Sequence, residues 1–179
     1  MILNQRGQAF DVFKLLIAAV VAGSILLILL QVIGGIPGIG QKDPNTEASN
    51  LVKNGVNSPA SPQFSKGITF TESVSLTSKT IASKSEGLSD SQICVLVSEK
   101  IPNIDNFTHT GKIVTYNGRT NQKTKLLAIC DRGSELEDTL SDLGLASQSG
   151  YDFDVTTCDE DFEDGTNTAC IVVVVPDSS

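Results

Sequence analysis

Residues 15–36 read LLIAAVVAGSILLILLQVIGGI, a run of Leu, Ile, Val and Ala broken only by Gly23, Ser24, Gln31, Gly34 and Gly35. About 20 such residues suffice to cross a bilayer as a helix. The run therefore divides the chain and predicts a long apolar N-terminal helix. A secretory leader would be followed by small residues of the Ala-x-Ala kind. Here the run leads instead into Pro37-Gly38-Ile39-Gly40.

The rest of the 179 residues has room for one ordinary domain. A formal charge of -8 and an isoelectric point near 4.5 argue against nucleic acid as a partner, because phosphate neutralisation needs basic patches. The same charge suits an exposed surface outside the cell. Four cysteines, Cys94, Cys130, Cys158 and Cys170, all follow the apolar run. In an exported domain an even set predicts two disulfides. Of three pairings, Cys94 with Cys130 and Cys158 with Cys170 is the one we expect.

Ahead of the run, the stretch Arg6-Gly7-Gln8-Ala9-Phe10-Asp11-Val12-Phe13-Lys14-Leu15-Leu16-Ile17 resembles the class III signal peptide of archaeal type IV pilins and archaellins. The likeness covers residues 1–36 and rests on a basic residue, Gly and Gln ahead of an uninterrupted apolar segment. It implies cleavage between Gly7 and Gln8, with Arg6 as the leader's charge on the cytoplasmic side. It further implies self-assembly into a filament, with Gln8, Phe10, Asp11, Phe13 and Lys14 at the assembling end. The implied partners are a prepilin peptidase, an assembly ATPase and a membrane platform protein, with the subunit held in the membrane before assembly. Many pilins carry a glutamate at the fifth position after the cut, where it neutralises a neighbour's new amino terminus. This chain has Val12 there, and Asp11, one residue earlier, is the acid left to pair with the Gln8 amine. Plain anchoring of an extracellular binding module, or a minor pilin that forms no fibre alone, are the alternatives.

The resulting expectation is an α+β chain: leader 1–7, apolar helix 8–36, Pro/Gly-rich linker 37–66 and a β-rich, sandwich-like head 67–179 with one short helix. Alternating apolar and polar side chains predict a first strand over Ile68–Leu76. Further strands are expected at Ile93–Ser98, Lys112–Tyr116, Lys125–Cys130, Tyr151–Thr156 and Ala169–Val175. The run Ile171–Val175 is apolar on both faces, so it should be covered. Asn117-Gly118 predicts a hairpin turn. Ser134 and Glu137 fit a capping box ahead of Leu136, Leu140 and Leu143 at helical spacing.

Few residues suggest chemistry. His109 is the one histidine and no close Cys pair occurs, which argues against zinc. Asp159, Asp161 and Glu163 are candidate calcium ligands. Gly165 falls seventh from Asp159, however, so the EF-hand register fails and an acidic solvated loop is the simpler reading. Asn106-Phe107-Thr108 is an N-glycosylation sequon, meaningful in an exported domain. No nucleophile stands beside a base and no phosphate loop occurs. We assign no catalytic residue and no cofactor, and expect adhesion through a filament.

Overall fold

The computed structural model describes residues 14–26, 43–85, 87–145, 151–158 and 167–177. The chain divides into two compact units, Met1–Gln41 and Lys42–Ser179. In the first, residues 14–26 are helical (α1). Among the described residues no helix is long and apolar enough to cross a membrane. This corrects the expected fold: the described residues hold no long apolar N-terminal helix, and Lys42–Ser179 is a mixed α/β unit with several helices.

The second unit is built on one five-stranded sheet. Its elements are α2 (Pro44–Asn57), β1 (Gln63–Phe64), β2 (Ile68–Phe70), β3 (Ser75–Thr77), α3 (Ser78–Ser85), β4 (Ile93–Val97), β5 (Phe107–His109), β6 (Ile113–Tyr116), β7 (Gln122–Arg132), α4 (Gly133–Asp142) and β8 (Thr168–Pro176). In the sheet β8 lies between β7, antiparallel, and β4, parallel. The outer edge of β7 receives β1 and β2 in succession. A second sheet has the order β3-β6-β5.

Strands β4, β7 and β8 are apolar on both faces, so both must be covered. Leu126, Ala128, Cys130, Val172 and Val174 face Ala48, Leu51 and Val52 of α2, Ile81 of α3, and Leu76, Val114 and Tyr116 of the small sheet. On the other face Leu127, Ile129, Ile171 and Val173 meet Leu136 and Leu140 of α4 and Phe153. Helices and a second sheet, not a matching sheet alone, close the layers. That is why the sandwich-like expectation fails.

Several local readings change for physical reasons. The segment expected as a linker carries α2: Asp43 caps it through Thr46 N–H at 3.0 Å, and Pro44 stands at the first turn, where its missing N–H costs nothing. The single strand expected at Ile68–Leu76 breaks at Ser73, whose φ is 65°. There the Ser73 N–H donates to the Tyr116 carbonyl at 2.9 Å, and the chain passes from one sheet to the other. Asn117-Gly118 closes no hairpin, since β6 pairs with β3 and β5 while β7 joins the large sheet. Residues Tyr151–Thr156 form no strand; they run as a strap with a 3-10 turn at Val155–Thr157. At α4 the residue before the helix is Arg132, so Ser134 lies inside the first turn and no capping box forms.

Between β1 and β2, three residues oppose two on β7, which makes a bulge. Ser65 repairs it: its N–H donates to the Leu126 carbonyl at 2.8 Å, and its Oγ accepts the Leu126 N–H at 2.7 Å. On the small sheet, Asn45 of α2 serves β3 in the same way. Its Nδ2 donates to the Ser75 carbonyl at 2.8 Å and its Oδ1 accepts the Thr77 N–H at 2.9 Å.

Candidate functional site

The processing and assembly residues Arg6, Gly7, Gln8, Phe10, Asp11 and Phe13 lie outside the described residues, and so do Asp159, Asp161 and Glu163. Lys14 is helical and exposed. From it α1 runs with every side chain in the open. Leu15 is 72 % exposed, Val20 60 % and Leu26 60 %, and Leu16, Ile17, Val21 and Ile25 stand between and around them. At 100° per residue these positions occupy every side of the helix. The polar interruption is internally satisfied, because Ser24 Oγ donates to the Val20 carbonyl at 2.8 Å. Gly23 faces open space on its Cβ side, and small residues of this kind let helices approach closely. Elsewhere among the described residues the large exposed apolar side chains are scattered ones, Phe64, Ile113 and Leu143. An exposed apolar helix of this composition offers a surface against which other apolar matter can pack. Burying each Leu, Ile or Val contributes about 1.5–3 kcal/mol.

The four cysteines do form two disulfides, but Cys94 joins Cys158 and Cys130 joins Cys170. Register explains the corrected pairing. Cys130 and Cys170 are direct partners across the antiparallel β7 and β8, with Cα atoms 4.1 Å apart, and share the face beneath α2. Cys94 points to the opposite face of β4, where Cys158 at the end of the strap meets it. Disulfides of this kind belong to an oxidising compartment.

His109 is half-buried at the end of β5, and its Nδ1 is buried without a partner. Asp154 is held below the usual carboxylate range by the Thr156 hydroxyl at 2.7 Å and N–H at 2.9 Å, with a smaller effect of His109. Asn106 ends a 3-10 turn, Ile104–Asn106, immediately before β5.

A shallow groove of about 210 Å³, lined by Lys53, Val56, Asn57 and Ser85, is smaller than the roughly 300–1,000 Å³ of ordinary ligand pockets. Among the described residues no group of three or more His, Cys, Asp or Glu could hold a metal. The uncovered apolar helix is thus the strongest candidate site, and it is a surface for packing. Comparison with known proteins finds no family, no characterised protein and no solved structure that this chain matches.

Proposed function

We propose that this chain is the structural subunit of an extracellular filament of the archaeal type IV pilus kind. It is cut between Gly7 and Gln8 and assembles through its apolar N-terminal segment, and the filament serves adhesion. The observation that carries the reading is α1, whose apolar side chains stand open on every side a few residues after a basic-Gly-Gln junction. Packing many copies together removes that surface from water, and Gly23 with the self-bonded Ser24 permits close approach. The acidic, doubly disulfide-linked unit then coats the fibre. Its stability in an oxidising medium rests on Cys94–Cys158 and Cys130–Cys170. Peptidase, ATPase and platform protein are the partners the cell supplies, and no catalysis falls to the subunit itself.

Electron microscopy of material sheared from the native cells tests this, together with mass spectrometry of the subunit's N-terminus. Fibres whose subunit begins at Gln8 support it. A chain that retains Met1 and forms no fibre overturns it.

A further inference from the structure

The sequon Asn106-Phe107-Thr108 is the one Asn-x-Ser/Thr pattern with a residue other than Pro at its centre in the whole sequence. Such a pattern acquires meaning from two contexts, export and a surface position, and both bear on this one. Export follows from the disulfides, which need an oxidising compartment. The surface position follows from how β5 is anchored. Phe107 is 6 % exposed, with its ring centroid 5.5 Å from Phe70 and 4.9 Å from Tyr116. Strand alternation then turns Thr108 the other way, and Asn106 closes the 3-10 turn just ahead of the strand. Thr108 is exposed and Asn106 half-buried.

The fold uses the backbone of Asn106, not its side chain. The Asn106 N–H donates to the Asn103 carbonyl at 3.0 Å, and its carbonyl accepts the Asn117 N–H at 2.7 Å. Among the described residues the amide Nδ2, the atom that glycosylation consumes, makes no hydrogen bond. Thr108 Oγ1 meets Asn117 Nδ2 at 3.3 Å, a long contact at an exposed site.

We propose that Asn106 carries an N-linked oligosaccharide. The donor is a sugar chain linked through phosphate to a membrane lipid. Asn106 Nδ2 attacks the anomeric carbon, the bond from that carbon to the phosphate oxygen breaks, and the new C–N bond forms. The amide proton passes to a base of the transferase, and the lipid phosphate leaves with the electron pair. The bulk of the glycan then stands beside β5, the outer strand of the small sheet, an edge of the kind that otherwise invites strand pairing. The modification depends on export alone, so it holds whether or not the subunit polymerises.

The test is glycopeptide mass spectrometry on the protein purified from its own cells. The peptide containing Asn106 should carry hexose-type mass. Asn106→Gln and Thr108→Ala should lose it entirely, and Thr108→Ser should keep it at lower occupancy. Intact disulfides and an unchanged melting temperature in each variant show that the domain has folded. An unmodified Asn106 in the folded, doubly disulfide-linked native protein overturns the proposal, and so does added mass that survives Thr108→Ala.

Discussion

At the residue scale, single polar groups hold positions where the backbone pattern fails. Ser65 Oγ takes the Leu126 N–H that the bulge leaves over. Ser65→Ala should cost about 1–3 kcal/mol, the penalty for a buried donor without an acceptor, read as a lower denaturant midpoint with unchanged slope. Thr124 makes the opposite case. It is fully buried and its Oγ1 has no partner, so Thr124→Val should be neutral or raise stability by about 1 kcal/mol. Asp43 sets a pH dependence. Burial opposes its ionisation, but bonds from the Thr46 hydroxyl, from Lys84 at 3.1 Å and from the Thr46 N–H outweigh that and hold the carboxyl at about 2. A carboxyl depressed in the folded state stabilises above its unfolded value, near 3.8, and the contribution fades as pH falls through about 2. Melting temperature followed from pH 5 to 2 should therefore fall less steeply in Asp43→Asn than in the native chain. Because Asp43 is half-exposed, solvent screening keeps the effect small.

At the element scale, α2 rests directly on the buried disulfide. A Cβ at Gly55 would meet Cys130 Sγ at 2.8 Å. Gly55→Ala should therefore destabilise by about 1–3 kcal/mol from overpacking, even though alanine favours a helix by about 1 kcal/mol. Calorimetry decides the sign. The helix itself is legible in the sequence: Asp43 and Pro44 form a start signal, and Ala48, Leu51, Val52 and Gly55 recur at helical spacing on the buried face. The prolines and the Gly and Asn residues around it mask that signal, because they also punctuate linkers. The disulfide pairing is legible in part from strand alternation, which sets Cys130 and Cys170 on one face and Cys94 on the other. What alternation cannot give is which strands are neighbours. Hence Asn117-Gly118 suggests a hairpin, although Gly118 packs under the Tyr116 ring, whose hydroxyl donates to the Thr120 carbonyl. The strap after Tyr151 suggests a strand for the same reason. Its φ of 48° at Asp152 and its closure by Cys158 are tertiary facts.

At the scale of the whole molecule, the two units follow different physics. Lys42–Ser179 covers the apolar faces of its own strands on both sides of the large sheet. Residues 14–26 leave theirs open, and the apolar character of this segment is plain in the sequence. Val20→Asp should abolish filaments while leaving the disulfides and melting of Lys42–Ser179 unchanged, as checked by negative-stain microscopy and calorimetry. The proposed filament requires that the apolar N-terminal segment be processed and packed between subunits. Sheared fibres from native cells, imaged and then sequenced from the N-terminus by mass spectrometry, test it most directly. Fibres built from subunits that begin at Gln8 are the predicted result; a protein that keeps its leader and appears in no fibre would contradict it.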